Sequence, residues 1–490
     1  MHSPNRKPVF IEKIMPVTLL NEQVYYEHGG NPFKGLHRWY SRKPLSFSRA
    51  SVLGSLLPAD VTIEEFEYLL GLNRRVAGIQ DKTTKLYKTP PSPDRIKKVQ
   101  ELCEQMWGTK TPTVLDAFAG GGSIPFEAAR YGLNVLASDL NPVAVVTMKA
   151  AIEYPLKFGT DLQAEIDKWV KWVGDEAEKR LAPFFPSLPG EKVQAYFWAH
   201  TVVCPNCEFT VPLSPTWWVD KSPASAKKNN WCAVKPIPNH NTKQVEFEMI
   251  RGRKGQGATI QTSNGEFDPN DFITSKGGDG RCPNCGGLIE GEYIDKKLLE
   301  ENFGYSLYSI AYKKGAGGLE FRLPVAEDLE GYKKASTSLD SQKENLAHLI
   351  PSEPLHQGQD TRCYNRGVRR WDQLFNSRQL LTLITYGQII EESKPLIHEN
   401  YDDPGKAQAV LTYLALAFDR CVDRNSRMGH WSSASNMSFH GALAQHSLNL
   451  IWNYYETEGS SRLWQVYSQS IQIEYSDLCS LLEKNKTYLL

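Results

Sequence analysis

The chain has 490 residues, and 56 lysines and arginines balance 56 aspartates and glutamates, so its formal net charge at pH 7 is zero. This balance excludes a basic field over the whole protein, and any nucleic-acid-binding surface would have to be local. The chain has no run of about 18 apolar residues and no secretory signal at its start. We therefore expect a soluble, cytoplasmic protein of two or three structural regions without a membrane partner.

The first clear pattern is an alternation of helices and strands between residues 96 and 154. Its elements are a helix at 96–107, a strand entering glycines at 111–120, a helix at 123–132, a strand at 134–140 and a helix at 143–154, after Asn141-Pro142. This β-α-β-α order predicts an α/β fold with a parallel sheet, and ligands at the carboxyl ends of its strands.

Beyond this unit the pattern changes twice. Residues 161–182 continue as an amphipathic helix, and the region from about 196 to 293 then begins and ends with Cys-Pro-Asn-Cys, as an insertion with a metal-held core would. The spacing is helical again over 371–390, 407–424 and 441–456. The apolar faces of these late helices need a partner, and docking on the β-α-β-α unit is the simplest solution.

A glycine-rich turn stands where the first strand passes into a helix: Asp116-Ala-Phe118-Ala-Gly120-Gly121-Gly122-Ser123. Glycines let the backbone approach a ligand without a Cβ clash. Asp139 follows 19 residues after Gly120, at the end of the second strand, where a carboxylate can accept hydrogen bonds from both ribose hydroxyls. The pattern indicates an adenosine-containing cofactor.

Two cofactor classes fit such a turn, a dinucleotide and S-adenosylmethionine. A dinucleotide fingerprint needs glycine where this chain has Pro125, and it leaves Asp116 without a role. The pattern D-x-F-x-G-x-G with an acidic end to the second strand resembles the first motif of DNA amino-methyltransferases. That resemblance implies eight cofactor-binding residues, for the methionine part, the ribose and the adenine in turn: Asp116, Phe118, Gly120 and Gly122, then Asp139, then Leu140, Asn141 and Pro142.

A wider resemblance, over nearly the whole chain, is to adenine-specific DNA methylases with a zinc ribbon and an amino-terminal domain of unknown function. Its residues are Gly30-Asn31-Pro32-Phe33, His37-Arg38-Trp39-Tyr40-Ser41-Arg42-Lys43-Pro44, DAFAGGG at 116–122, SDLNPVA at 138–144, two Cys-Pro-Asn-Cys pairs, RRWDQLFNSRQL at 369–380 and FDRCVDRNSRMGHW at 418–431. It implies a Rossmann-like S-adenosylmethionine-dependent methyltransferase sheet with an inserted zinc ribbon and additional helices. It also implies double-stranded DNA as substrate, N6 of adenine as the methylated atom, and a place in restriction or anti-phage systems.

These patterns predict six segments. They are an amino-terminal family domain at 1–60, a helical or loop insertion at 61–95, a cofactor-binding methyltransferase unit at 96–195, a zinc-ribbon insertion at 196–295, an irregular linker at 296–365 and the helical remainder of the methyltransferase domain at 366–490.

Four cysteines have the spacing of a metal site. Cys204-Pro-Asn-Cys207 and Cys282-Pro-Asn-Cys285 can each wrap two thiolates around one ion, and together they supply the tetrahedral set that zinc prefers. Cys232 is an alternative ligand, although a lone cysteine is more often a small buried apolar residue. Because four protein thiolates leave no position for water, the zinc is predicted to be structural.

Three short segments are candidate contacts for anions or nucleic acid. The aromatic and basic segment Trp39-x-x-Arg42-Lys43-Pro44 suits an anion such as the cofactor's carboxylate, or is a surface loop. Trp217 and Trp218 can stack on nucleic acid, but filling a small core is the favoured interpretation. Two basic groups are equally well explained as solvated loops: Lys227 to Lys254, with Lys228, Arg251 and Arg253, and Arg362, Arg366, Arg369 and Arg370.

One expected motif is missing. Amino-methyltransferases carry Asp/Asn/Ser-Pro-Pro-Tyr/Phe, whose acceptors bind the exocyclic amine while its ring stacks on the flipped base. The one Pro-Pro pair here, Pro90-Pro91, lies between Thr89 and Ser92, before the glycine turn. We therefore expect a chain truncated before this motif, with unknown catalytic residues and a need for a polypeptide that supplies them.

Three hypotheses follow. The first is a DNA adenine methyltransferase whose catalytic loop comes from elsewhere, such as a partner polypeptide or another defence-system subunit, or is replaced by a residue of this chain that matches no known motif. The second is a cofactor- and zinc-binding nucleic-acid module without activity. The third, an unrelated nicotinamide enzyme, is disfavoured by Pro125.

Overall fold

The computed structural model describes residues 7–27, 33–39, 42–72, 85–221, 230–253, 258–262, 265–433, 437–444 and 446–482. The chain divides into two compact units, one of Met1–Lys171, Lys394–Ala417 and Ser468–Leu490, the other of Trp172–Ser393 and Phe418–Tyr467. Some residues named above lie outside the described ranges: Gly30, Asn31, Pro32, Tyr40, Ser41, Lys227, Lys228 and Lys254. No helix in the described ranges combines the length and the apolar character needed to cross a membrane.

The helices and strands follow one another in a mixed order. The helices are α1 (Val17–Glu27), α2 (Phe33–Leu36), α3 (Leu45–Leu56), α4 (Ile63–Leu70), α5 (Pro93–Trp107), α6 (Ser123–Ala129), α7 (Pro142–Met148), α8 (Tyr154–Phe158), α9 (Asp161–Leu181), α10 (Gly291–Leu299), α11 (Ala326–Gln342), α12 (Ser377–Asn400), α13 (Pro404–Arg424) and α14 (Arg462–Leu482). The strands are β1 (Thr113–Asp116), β2 (Asn134–Ala137), β3 (Glu191–Val203), β4 (Thr210–Leu213), β5 (Trp218–Asp220), β6 (Asn230–Asn239), β7 (Gln244–Arg253), β8 (Ile260–Thr262), β9 (Gly265–Phe267), β10 (Ser275–Lys276), β11 (Asp279–Arg281), β12 (Leu288–Ile289), β13 (Gly304–Lys314), β14 (Glu320–Arg322), β15 (His430–Ser432), β16 (Ser438–His440) and β17 (Tyr455–Thr457).

The first unit has the predicted β-α-β-α order. β1 and β2 pair in parallel, and α6 connects them. α7 follows β2 and begins at Pro142, because the Asn141 side chain caps it by accepting a hydrogen bond from N of Val143 at 2.9 Å. Within the described ranges this parallel sheet has two strands, so a larger Rossmann-like sheet stays a prediction.

The amino-terminal helices cover one face of this sheet. Val114 of β1 and Val135 of β2 pack against a cluster that includes Leu53 of α3, Phe66 of α4 and Ile96 of α5. The amino-terminal region and the β-α-β-α unit therefore share one hydrophobic core.

The opposite face of the sheet is apolar but exposed. Leu115 and Leu136 lie opposite each other in the register, one residue on from the partly buried Val114 and Val135, and they are 69% and 60% exposed. Side chains alternate between the faces of a strand, and parallel sheets are normally covered on both faces. The described part of the first unit leaves this second face open.

A buried charge cluster of Arg49, Glu127 and Arg130 connects α3 with α6. Nε of Arg49 donates to Oε2 of Glu127 at 2.7 Å, and Nη1 of Arg130 donates to Oε1 of the same carboxylate at 2.7 Å. All three side chains are fully buried. One carboxylate thus neutralises part of the charge of two guanidinium groups in the core of the first unit.

Replacing Glu127 with glutamine should lower the free energy of unfolding by about 3 to 5 kcal/mol, because two buried guanidinium groups would lose their counter-charge. Chemical denaturation at pH 7 measures the change. Glu104→Gln is the matched control, since Glu104 forms an exposed pair with Lys110 at 3.8 Å; its loss should cost about 1 kcal/mol or less. Equal losses in the two variants would contradict the role assigned to Glu127.

Later parts of the chain also enter the first unit. The hydroxyl of Tyr413 in α13 donates to O of Ala150 at 2.7 Å, and its ring contacts Tyr475 of α14, with ring centroids 4.9 Å apart. Within the first unit α13 thus packs beside the segment between α7 and α8, whereas most of α12 belongs to the second unit, so docking of all the late helices on the β-α-β-α unit stays a prediction.

The second unit is built on a larger sheet with the strand order β14-β13-β3-β4-β7-β6-β5, and β17 also pairs with β3. β3 and β13 pair antiparallel from Thr201 opposite Gly304 to Glu191 opposite Lys314. A three-stranded sheet, β10-β11-β12, packs through Ile289 into a cluster with β4.

Two segments differ from their sequence-based predictions. Residues 296–365, predicted to be irregular, contain β13, β14 and α11, and β13 is buried along most of its length, so it shows no two-residue alternation. Residues 441–456, predicted to be helical, form a 3-10 turn at Ala442–Ala444 and enter β17, where Tyr455 pairs with Phe197 of β3. A short apolar run is compatible with a helix or with a buried strand, and pairing with a distant strand decides which of the two forms.

Candidate cofactor site and metal centre

The glycine turn connects the end of β1 to the start of α6. Gly120 has a φ of 52° and Gly122 a φ of 84°, a backbone conformation that residues with a Cβ rarely adopt. A Cβ on Gly122 would also lie 2.8 Å from Cγ of Met148. The positive φ and the short distance to Met148 both favour glycine at position 122.

Asp139 lies two residues after β2 and reaches back to the glycine turn. Its Oδ2 accepts a hydrogen bond from N of Gly120 at 2.8 Å, and its Oδ1 accepts one from N of Asn141 at 2.9 Å. Each carboxylate oxygen keeps a second lone pair, so the group can also accept from a hydroxyl. The half-buried Asp139 carboxylate therefore joins the two loops that follow β1 and β2.

The eight residues predicted to bind the cofactor lie in or directly beside these two loops, at the carboxyl ends of the paired strands. Asp116 ends β1 and accepts through Oδ1 from N of Phe118 at 3.2 Å. The side chains of Phe118 and Leu140 are 89% and 98% exposed. Exposed apolar side chains beside an open backbone turn suit a ligand-binding surface, and the roles of the individual residues stay predictions.

The amino-terminal segment between α2 and α3 lies against the glycine turn. A Cβ on Gly120 would be 2.8 Å from Nε1 of Trp39, and a Cβ on Gly121 would be 3.1 Å from Nε of Arg42. The sequence pattern identified this aromatic and basic segment but gave no position for it. The structure places it beside the backbone of the turn.

The four cysteines of the two Cys-Pro-Asn-Cys pairs meet in the second unit. All four Sγ atoms lie within 4.8 Å of one another, with 3.5 Å between Cys207 and Cys282 and 3.9 Å between Cys204 and Cys285. Four thiolates at about 2.3 Å from a tetrahedral zinc ion would be about 3.8 Å apart. The sulfur positions therefore fit one zinc ion with four protein ligands.

Each cysteine pair ends in the same kind of turn. N of Glu208 donates to O of Cys204, and N of Gly286 donates to O of Cys282, both at 2.9 Å. Glu208 and Gly286 both have a left-handed backbone, with φ values of 62° and 69°. Two equivalent loops thus present two sulfur atoms each, although one of them carries a glutamate where glycine would be unstrained.

The thiols of the cluster differ in how readily they ionise. Burial raises the pKa of Cys204 and raises the pKa of Cys282 to about 12. Burial also acts on Cys207, but hydrogen bonds from the Asn284 side chain and the Phe209 backbone outweigh it and lower the pKa of that thiol to about 6. A bound divalent cation would deprotonate all four thiols.

Several residues considered in the sequence have other positions. Cys232 lies outside the cysteine cluster, and its Sγ is 3.0 Å from Sδ of Met249. Trp217 is fully buried and Trp218 nearly so, which confirms that these two rings fill the core.

Three arginines of the group at 362–370 have local partners. Arg366 pairs with Asp295, and Arg370 pairs with Asp372 at 2.9 Å. Arg369 donates to a neighbouring backbone carbonyl and stacks on a tyrosine ring. These contacts favour a structural role for the three side chains.

The two late family stretches supply buried polar pairs within the second unit. Arg378 donates to Glu456 at 2.6 and 3.0 Å, with both side chains fully buried. Arg427 donates from Nη2 to Nε2 of His200 at 2.9 Å, and burial, reinforced by Arg427, lowers the pKa of His200 to about 3. His200 is therefore neutral at pH 7, and these stretches support the core.

The Pro90-Pro91 pair also has a structural position. It precedes α5, and O of the adjacent Thr89 accepts a hydrogen bond from Nη2 of the buried Arg49 at 3.0 Å. This pair belongs to the surroundings of the buried charge cluster.

Comparison with known proteins gives matches for two segments of the chain, which lie mostly in the first unit, and none for the whole chain. No curated protein and no solved structure matches the chain significantly. Residues 14–72, which include Trp39 and Arg42, match a protein family of unknown function, DUF1156. Residues 96–179, which include the glycine turn and Asp139, match the D12 class N6 adenine-specific DNA methyltransferases.

Proposed function

We propose that this chain binds S-adenosylmethionine at the glycine turn and forms the cofactor-binding part of a DNA methyltransferase acting on N6 of adenine. The observation that carries the proposal is the Asp139 carboxylate, which accepts a hydrogen bond from N of Gly120 within the glycine turn. The match of residues 96–179 to the D12 class supports DNA adenine as the substrate.

The residues around the turn fit the three parts of this cofactor. The left-handed glycines let the methionine part approach the backbone, and Asp116 offers a carboxylate nearby. Asp139 is an acceptor for the ribose hydroxyls, and the exposed Leu140 borders the adenine. When bound, S-adenosylmethionine supplies the electrophilic methyl group.

Replacing Asp139 with alanine should weaken S-adenosylmethionine binding about 10- to 150-fold, the size of a lost hydrogen bond that involves a charged group. Isothermal titration calorimetry measures the affinity. Asp60→Ala, at an exposed position, is the control for a lost surface charge and should leave the affinity unchanged. Equal affinities of the Asp139 variant and the parent chain would refute this placement of the cofactor.

The amine of adenine needs acceptors that free its lone pair from conjugation and aim it at the methyl group. The Pro-Pro motif that supplies them in related enzymes is not present in this sequence. We propose that a segment outside residues 1–490, in the same or in a second polypeptide, contributes them.

The four-cysteine cluster binds one structural zinc ion in this proposal. The cluster lies against an apolar core that includes Phe209, Val211 and Ile294, so the ion stabilises the loops around it. An alternative function, favoured by the missing Pro-Pro motif, is a cofactor- and zinc-binding nucleic-acid module without activity in a restriction or anti-phage system. A methyl-transfer assay separates the two.

A further inference from the structure

We infer that Arg42, supported by Trp39, binds the carboxylate of the cofactor's methionine part. The inference rests on the proposed cofactor function and extends it to the amino-terminal segment. Both residues lie within 14–72, the part of the chain that matches a family of unknown function. The amino-terminal region would then contribute directly to ligand recognition.

Trp39 and Arg42 lie beside the backbone of the glycine turn. Trp39 and Arg42 are the side chains nearest to a Cβ placed on Gly120 and on Gly121, at 2.8 and 3.1 Å. The contact at Gly120 excludes a Cβ unless Trp39 shifts, and the contact at Gly121 is tight, so both side chains lie close to the backbone of the turn. The methionine part of S-adenosylmethionine is proposed to lie along this same backbone.

Arg42 has a buried hydrogen-bond donor that is not satisfied. Nε of Arg42 is buried and has no hydrogen-bond partner in the described ranges. The rest of the guanidinium is held in place, because Nη2 donates to O of His37 at 3.2 Å and Cζ lies 5.0 Å from the ring centroid of Phe33. A buried N–H without an acceptor is costly, and an incoming anion would satisfy it.

The charge of Arg42 also suits a carboxylate ligand. Desolvation lowers the pKa of Arg42 to about 10, against an opposing effect of Glu474, so the guanidinium stays positive at pH 7. Guanidinium groups bind carboxylates with two parallel hydrogen bonds and thus select for a planar anion. The α-carboxylate of S-adenosylmethionine is such a group. The neighbouring cation, Lys43, is exposed.

Arg42 could instead have a purely structural role, because the charge of Glu474 acts on its guanidinium. The Glu474 carboxylate packs on Gly35, where a Cβ would collide with it. A structural role predicts that losing Arg42 affects every ligand of the site alike. A carboxylate-binding role predicts that only ligands with a carboxylate are affected.

The experiment compares two ligands that differ in the amino-acid part. S-adenosylmethionine carries the carboxylate, and 5′-methylthioadenosine keeps the adenosine and the thioether without it. Calorimetry with Arg42→Gln should show about a 10- to 100-fold weaker affinity for S-adenosylmethionine and less than about a twofold change for 5′-methylthioadenosine. Arg42→Lys should recover part of the loss, and the matched control Lys43→Gln should bind both ligands like the parent chain.

Two results would overturn the inference while leaving the cofactor function intact: equal losses for both ligands in Arg42→Gln, or no loss for S-adenosylmethionine. If the parent chain binds neither ligand, the proposed function itself is refuted, and the role of Arg42 is refuted with it.

Discussion

Serine in place of both Cys204 and Cys282 should reduce the zinc content from one ion per chain to none. The four Sγ atoms already lie within 4.8 Å of one another, and each serine removes a thiolate from a different Cys-Pro-Asn-Cys loop. Structural zinc sites contribute about 10 to 16 kcal/mol of apparent binding free energy, so the surrounding core should lose its fixed structure. Elemental analysis measures the zinc, and hydrogen exchange measures the protection of residues 202–213 and 280–298.

Cys232→Ala is the matched control for this experiment, because Cys232 is buried outside the cluster. It should keep one zinc ion per chain. Unchanged zinc content in the double serine variant would show that the metal is held elsewhere, and a metal-free parent chain would rule out the zinc site.

Methyl transfer to DNA by the isolated chain should be at least about 10³-fold slower than transfer after addition of a polypeptide that carries the Pro-Pro acceptor motif. Cofactor binding alone does not free the lone pair of the adenine amine, and positioned acceptors commonly contribute several orders of magnitude in rate. The assay uses S-adenosylmethionine with a tritiated methyl group and mixed genomic DNA. The polypeptide to test first is one encoded beside this chain that contains the motif.

Two controls make this result specific. Alanine at the first residue of the added motif should abolish the restored transfer, and Asp139→Ala in this chain should reduce it. Robust turnover by the isolated chain would mean that its own residues supply the acceptors. Absence of transfer in every mixture would favour the inactive cofactor- and zinc-binding module.

The parts of the fold that the sequence predicted well have strong local signals. Gly122 and Pro142 mark the starts of α6 and α7, so the β-α-β-α order could be predicted from short segments. The spacing of the cysteines predicts a four-thiolate cluster, and the four Sγ atoms do lie together. β17 and β13 were missed because pairing across more than 100 residues defines them, and neither strand alternates clearly between apolar and polar residues.

The candidate site was predictable only in part for a related reason. Asp116, the glycines and Asp139 follow from a local motif, but nothing in the sequence shows that Arg42 lies beside Gly121, because this approach depends on how α3 packs on α6. The exposed face with Leu115 and Leu136 could not be predicted either. Its apolar residues alone are typical of a buried strand.

The central claim, that S-adenosylmethionine binds at the glycine turn, is tested most directly by ultraviolet cross-linking of the tritiated-methyl cofactor followed by peptide mapping. We expect the label in the peptides that cover residues 113–142. Excess unlabelled S-adenosylhomocysteine should suppress it, and Asp139→Ala should strongly reduce it. Label confined to the second unit, or no label displaced by S-adenosylhomocysteine, would contradict the claim.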